Sequence, residues 1–311
     1  NNGFYKTSGR IENTVPKKKT LYDTIKEDSI IDNVASKYVE AETGIDFNSS
    51  ASIKNGKGLY IRAGTENDEY PIMYYRGNIM NNNVLFANLC WQIVRTTELG
   101  GMKLIYNGSP NNNRCVNTDP KIDISPFNDV GDSAKYLGYM YDDNSEVAQH
   151  GDTESTIKTV IDTWYRTNMD AKGYTKYLED AVWCNDRSVG NKSGNALSYG
   201  SYTRVITKHN PKLKDEETCS QQDDRYTVND EVKGNGALTY PVALLTAEEA
   251  NVSGLLLGNL PSSYLFSRNY FWLLSPSSSN GKTVLHIDIQ NTGALHSNVV
   301  TYAGNVRPSI Y

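Results

Sequence analysis

The sequence lacks several features that would place the protein in a familiar class. No run of 18 or more apolar residues occurs, so it predicts no membrane-spanning helix. The net charge is −5, which leaves no broad basic surface for a phosphate backbone and argues against nucleic acid as a partner. The chain begins at Asn1, and we expect any export signal or membrane anchor to lie outside it.

Motifs of common catalytic sites are also missing. The four histidines show no H-E-x-x-H spacing, and no G-x-S-x-G nucleophile elbow is present. Asn280-Gly281-Lys282-Thr283 ends like a phosphate-binding loop, but Pro276 stands where that loop needs a glycine, so a hairpin turn is predicted instead. We therefore expect a protein that is not an enzyme and binds no cofactor.

The cysteines are few and widely spaced. Cys90, Cys115, Cys184 and Cys219 form no C-x-x-C pair, which argues against zinc-ribbon and thioredoxin-type sites. We predict disulfides between sequence neighbours, Cys90–Cys115 and Cys184–Cys219, as in proteins of an oxidising compartment. Each would stabilise the fold by about 3–4 kcal/mol. Four buried free thiols are the alternative, and the spacing alone does not fix the pairing.

Two segments with charged side chains are candidate functional sites. Asp142-Asp143-Asn144 offers oxygen ligands for calcium but lacks the length and terminal glutamate of an EF-hand loop. A solvated turn is therefore favoured there, with a structural calcium ion as the alternative. Asp186 and Arg187 closely follow Cys184, and we expect a structural ion pair beside the disulfide rather than a catalytic pair.

Periodicity and turn residues predict an α+β protein with short antiparallel strands, two main helices and long ordered loops. A poorly ordered lead-in over residues 1–19 precedes a helix over residues 20–42, and Ser155 to Asn168 carries one apolar stripe of a second helix. Strands are predicted between residues 58 and 106 and again between 270 and 310, and residues 185–236 are predicted as loop. We divide the chain into residues 1–56, a lead-in and helix that packs on the domain or forms a stalk, and one domain over residues 57–311.

Eight patches occur in an order that is typical of a known domain. They are Cys90 to Thr96, Gly100 to Gly108, Tyr136 to Met140, Ser155 to Lys158 with Trp164-Tyr165, Cys184 to Ser188, Leu238 to Val242, Trp272 to Pro276, and Gly304 to Pro308. Together they resemble a domain of unassigned function in surface proteins of gut Firmicutes. That domain has the C-type-lectin fold of the formylglycine-generating-enzyme type, which the variable proteins of diversity-generating retroelements share.

The resemblance implies a division of roles near the end of the chain. Trp272 would lie in the core and Arg307 would be a buried structural anchor, while polar residues between Pro276 and Gly304 would face outward. The implied ligand-binding residues are Ser278, Asn280, His286, Asp288, Gln290, His296, Asn298 and Tyr302. His286 and His296 fall on consecutive predicted strands, where surface contact residues are favoured over a metal pair.

The resemblance also implies a function. We expect an extracellular binding domain of the adhesin or receptor type on a bacterial surface or a phage, whose partner is a protein or glycan on another cell or phage. Diversification of its C-terminal residues by a retroelement is one option that the resemblance raises. The alternatives are a structural, pilin-like surface subunit and an enzyme of formylglycine-generating-enzyme-like fold. No cysteine follows Cys219, which argues against the oxidase chemistry of that enzyme.

Overall fold

The computed structural model describes a mixed α+β protein in which small antiparallel sheets dominate. The described residues are 5–7, 10–12, 20–23, 25, 37–39, 44–49, 51, 58–79, 82–116, 118–214, 218–255, 263–266, 270–288 and 295–311.

The strands are short, as their turn-rich sequence predicts. In chain order they are β1 (Tyr5–Thr7), β2 (Arg10–Glu12), β3 (Lys37–Val39), β4 (Gly58–Ile61), β5 (Met73–Arg76), β6 (Asn83–Phe86), β7 (Leu89–Thr96), β8 (Met102–Tyr106), β9 (Asp123–Ser125), β10 (Met140–Tyr141), β11 (Thr153–Glu154), β12 (Trp183–Cys184), β13 (Val189–Ser193), β14 (Ala196–Tyr199), β15 (Arg225–Tyr226), β16 (Phe271–Ser278), β17 (Thr283–Ile287), β18 (Leu295–Val299), β19 (Gly304–Val306) and β20 (Ser309–Ile310).

The helices are few within the described residues. They are α1 (Thr156–Asn168), α2 (Gly200–Tyr202), which runs into a π-helical turn over Thr203–Thr207, and α3 (Ala247–Val252). Single 3₁₀ turns cover Ala134–Leu137, Asp170–Lys172, Thr175–Tyr177 and Gln222–Asp224. None of the described helices has the length and apolar character that a bilayer crossing requires.

Two seven-stranded sheets organise the fold. The first has the order β20-β8-β7-β5-β4-β3, with β6 paired to β7; the second has the order β13-β14-β16-β17-β18, with β19 joined to β16 and β9 joined to β19. Both sheets and α1 contribute to one core, which contains the fully buried Trp91, Ile157, Trp183 and Trp272. Burial of each large apolar side chain stabilises the fold by roughly 1.5–3 kcal/mol.

Two local predictions are confirmed: the apolar stripe of α1 faces the core, and residues 279–282 form the predicted turn between β16 and β17. Ser155 caps α1 by accepting a hydrogen bond from the Lys158 backbone N–H. Thr246 and Glu249 form a capping box at the start of α3. A hairpin at residues 100 and 101 joins β7 to β8.

Three predictions fail. The lead-in contains the antiparallel pair β1–β2, and the segment expected as loop contains β13, β14 and helical turns. The predicted first helix is present at residues 21–23 and 25, but β3 falls inside its predicted range and pairs in parallel with β4. An open strand edge supplies hydrogen-bond partners that override a weak helical pattern, since tertiary context outweighs intrinsic propensity.

The initial segment contributes to the same core as the rest of the chain. Tyr22 and Ile25 are buried in the main cluster, and the Tyr22 hydroxyl donates a hydrogen bond to the Pro71 carbonyl oxygen at 2.9 Å. The Thr20 hydroxyl accepts from the Asp23 backbone N–H while the Asp23 carboxylate accepts from the Thr20 backbone N–H, a reciprocal cap at the start of this helical segment. The basic run Lys17-Lys18-Lys19 lies outside the described residues.

The disulfide prediction is confirmed. Cys90 bonds to Cys115 and Cys184 to Cys219, with Cα atoms 5.5 and 5.7 Å apart, distances typical of disulfides. The first bond ties the start of β7 to the loop after β8, and the second ties β12 to the loop before β15.

Candidate ligand-binding site

The closing segment of the chain is held by buried side chains. Arg307 is 2% exposed, and its guanidinium donates to the Tyr106 and Leu265 carbonyl oxygens and to the Gln92 side-chain oxygen at 2.7–3.1 Å. Burial lowers the pKa of Arg307 to about 9, a shift that Tyr264 opposes. Both Arg307 and the fully buried Trp272 therefore lie inside, where the resemblance implied them.

Aromatic rings gather on one face of the second sheet. We call them the ring cluster, and its members are Tyr270, Trp272, His286, His296 and Tyr302. Ring centroids are 4.2 Å apart for Tyr270 and His286 and 5.2 Å apart for Tyr270 and Tyr302. Gly304 lies against this cluster, and a Cβ atom there would come within 1.8 Å of the Tyr270 ring, so glycine is required.

The prediction that His286 faces solvent is wrong. His286 is 3% exposed because its imidazole packs against the rings of Tyr270 and Trp272. Burial lowers its pKa to about 3, reinforced by nearby His296 and opposed by the charge of Asp288, so the ring is neutral at physiological pH.

The remaining predicted ligand residues occupy different surroundings. Asp288 and His296 are half-buried, and Tyr302 is 51% exposed at the rim of the ring cluster. Ser278 and Asn298 are half-buried and Asn280 is exposed. Gln290 lies outside the described residues. The structure thus brings His286, His296 and Tyr302 together, whereas Asn280 belongs to a second feature at the turn between β16 and β17.

That second feature is an open cleft of about 600 Å³, which we call the hairpin cleft. It is bounded by the loop before β10 and the loop after it, by the β13–β14 hairpin and by the β16–β17 turn. Its lining residues are Asp132, Ser133, Ala134, Glu146, Val147, Ala148, Arg187, Val189, Asn195, Leu197, Tyr199, Ser279, Asn280 and Lys282. Small-molecule sites are typically about 300–1,000 Å³, so the cleft is large enough for a ligand of several rings.

The hairpin cleft combines fixed and exposed groups. Ser279 and Leu197 exchange two hydrogen bonds of 3.0 Å, which tie the β16–β17 turn to β14. Burial raises the pKa of Tyr199 to about 12, so its phenol stays neutral. Val147 and Val189 are each 59% exposed and give the cleft an apolar rim. A cavity between Arg95, Glu179 and Lys233 is only about 80 Å³ and admits no more than a few waters.

Asp186 and Arg187 do not pair with each other as expected. Arg187 is bound to Asp224 at 2.6 Å, and Asp186 to Arg204 at 2.7 Å. Arg204 also contacts the fully buried Glu248 at 2.6 Å. The prediction of a structural role fits these buried pairs, but the partners come from a loop 37 residues away and from the turn after α2, which the sequence order does not reveal.

The segment Asp142-Asp143-Asn144, a candidate calcium site by sequence, is a turn whose carboxylate oxygens accept hydrogen bonds from the protein. Asp142 accepts hydrogen bonds from the Asn144 backbone and the Gln149 side chain, and Asp143 contacts the Lys135 ammonium at 3.3 Å. Within the described ranges, no three histidine, cysteine or carboxylate side chains converge as metal ligands.

Sequence reasoning missed Tyr270 and most of the hairpin cleft. The position of Tyr270 could have been predicted, because residues two apart on a strand share a face and Trp272 was expected in the core. Asp132, Glu146 and Val189 come from separate segments of the chain, and no local signal connects them.

Three comparisons with known proteins give no match: no family model fits the sequence, and no curated protein or solved structure is significantly similar to it.

Proposed function

We propose that the protein is an extracellular binding domain of C-type-lectin-like fold, of the adhesin or receptor type, on a bacterial or phage surface. The observation that carries this proposal is the hairpin cleft, an open concavity of about 600 Å³ with polar groups on rigid supports. Two disulfides support an oxidising compartment. The partner is a glycan or protein displayed on another cell or phage, and no catalytic step is part of the proposal.

The lining of the cleft suits a polar ligand with some apolar surface. Asp132, Glu146 and Asn280 are exposed acceptors and donors for hydroxyl or amide groups, and Lys282 adds one positive charge. Val147 and Val189 are exposed apolar side chains, and they can pack against the apolar face of a sugar ring or against an apolar peptide side chain. Retroelement diversification would act on the turn that carries Asn280 and on the nearby hairpins.

The test is a steric block of the cleft. The chain is probed on an array of mucin and bacterial cell-surface glycans, printed beside immobilised mucin, collagen and fibronectin. Val189→Trp should abolish binding to every printed glycan or protein that the wild type recognises, because the indole fills the cleft from the edge strand β13. Val232→Trp, at a position 88% exposed outside the cleft, is the matched control and should bind as the wild type does.

Two results would overturn the proposal. Absence of wild-type binding to all printed glycans and proteins argues against an adhesin role. Undiminished binding by Val189→Trp places the ligand elsewhere.

A further inference from the structure

Two histidines of the ring cluster face each other across neighbouring strands. His286 of β17 and His296 of β18 are directly paired in the antiparallel ladder, so both side chains lie on the same face of the sheet. Their ring centroids are 6.2 Å apart with an angle of 32° between the planes. This is the arrangement in which two imidazoles on a rigid backbone can share one ligand.

Three polar atoms of this cluster are buried without a partner. His286 Nδ1, His296 Nε2 and the Tyr270 phenol oxygen are shielded from solvent, and each lacks a hydrogen-bond partner within the part of the chain that the structure describes. An unsatisfied buried polar group costs about 1–3 kcal/mol, so three on neighbouring rings indicate a bound species that supplies the partners.

We propose that His286 and His296 bind a divalent transition-metal ion of the zinc, nickel or copper class. Imidazole nitrogen is a preferred ligand of these ions. A zinc ion held by two imidazoles at the tetrahedral angle places the ring centroids roughly 5 Å apart, about 1 Å less than the separation of His286 and His296. Two strands joined in a ladder supply this geometry without rearrangement of the backbone.

One acidic side chain and one phenol border the histidine pair. Asp288 adds a negative charge that reaches both His286 and Tyr270. The Tyr270 phenol oxygen is buried without a partner among the described residues, and it would donate a hydrogen bond to a water or anion on the metal.

The proposed site leaves coordination positions open. Among the described residues no third histidine, cysteine or carboxylate converges on the pair, so water or an oxygen of a bound ligand completes the shell. Tyr302, half exposed with its ring 5.2 Å from that of Tyr270, is the member of the cluster that faces solvent. The proposal is independent of the hairpin cleft and of any ligand there.

The test titrates the untagged, metal-stripped full chain with Zn²⁺, Ni²⁺ and Cu²⁺ by calorimetry at pH 7.5. We expect one ion per chain with micromolar affinity, and affinity weaker by about tenfold or more in His296→Gln. His209→Asn, a histidine outside the cluster, is the matched control and should keep the wild-type affinity. A Cu²⁺ electron paramagnetic resonance spectrum should show coupling to two nitrogens in the wild type and one in His296→Gln.

His296 is half-buried, so His296→Gln should fold with an unchanged urea midpoint in the metal-free state. A difference in metal affinity between the variant and the wild type then reports on the metal site and not on folding. If Zn²⁺, Ni²⁺ and Cu²⁺ all fail to bind the wild type, the unpaired atoms are bridged by water and the proposal is wrong. Wild-type affinity in His296→Gln would overturn it equally.

Discussion

At the scale of single residues, buried charged side chains depend most strongly on their partners. Glu249 is fully buried and contacts Arg95 Nε and Lys103 Nζ, each at 2.9 Å. Burial disfavours its charged form, but Lys103 and Arg95 outweigh that penalty and lower its pKa to about 2. Removing one member of such a group leaves the others buried and uncompensated, which is far more damaging than loss of a surface pair.

Glu249→Gln should therefore destabilise the protein, and the loss should depend on pH. The folded carboxyl has a pKa below the unfolded value of 4.5, so its stabilisation is complete above pH 4.5 and is lost as pH falls towards 2. We expect the wild-type advantage in urea unfolding to shrink by about 3 kcal/mol over that interval. Glu98→Gln, at an exposed position, is the control; a pH-independent difference for Glu249→Gln contradicts the prediction.

Residue-level prediction succeeded at two buried positions near the end of the chain. The interior positions of Trp272 and Arg307 came from the resemblance, and the structure places both there. The prediction for His286 failed because a polar residue in a strand is expected to face outward, whereas β17 is buried on both faces. The ionic partners of Asp186 and Arg187 failed because they lie on distant segments.

Among the elements, α1 contains an unusual buried amine. Lys158 is fully buried on this helix, and its ammonium lies 2.8 Å from Glu154 and 2.6 Å from Asp162, one turn away on each side. Burial raises the pKa of Asp162 to about 6 even though Lys158 opposes the shift. The helix thus buries polar and apolar side chains against the same core.

Lys158→Met should lower the free energy of unfolding by about 3 kcal/mol at pH 7.5, because the buried Asp162 carboxyl would lose the ammonium that compensates its burial. Lys158→Met with Asp162→Asn should recover part of that loss, since the second change removes the uncompensated carboxyl group. Chemical denaturation of the single and double variants measures the coupling. Lys172→Met, on the exposed turn after α1, should be neutral; additivity of the two changes would contradict the account.

Elements with strong local signals were predictable. The stripe and cap of α1, the capping box of α3 and the hairpin of β7 and β8 all follow from spacing. β3 was missed because its strand state depends on the edge of β4, which a local pattern does not contain. β13 was missed although β14 follows after two residues, because β13 is exposed along its whole length and lacks the apolar alternation of a half-buried strand.

For the whole molecule, the disulfides are the main covalent constraints. Loops of 25 and 35 residues correspond to roughly 3.5 and 4 kcal/mol of stabilisation in the chain-entropy treatment. Cys184→Ala with Cys219→Ala should therefore lower the melting temperature slightly more than Cys90→Ala with Cys115→Ala. Thermal melts with and without a phosphine reductant test this, and a variant lacking all four cysteines is the control that reductant should not affect. An unshifted wild-type melt with fully labelled thiols would contradict it.

The global arrangement was only coarsely predictable. Periodicity gave an α+β protein with short antiparallel strands, and the structure has that character. The order of strands in the two sheets, and the cleft that their loops form, depend on pairings between segments more than a hundred residues apart. The local spacing of apolar and turn residues does not indicate such pairings.

The pairing of β20 with β8 has a consequence for biosynthesis. A ribosome releases the chain from its first residue onward, so the edge of β8 stays open, and the Tyr106 carbonyl lacks Arg307, until residues 307–310 have been translated. The nascent polypeptide cannot complete either large sheet before β19 and β20 have left the ribosome. Any chaperone that binds the chain during synthesis must therefore shield unpaired strand edges until both strands have emerged.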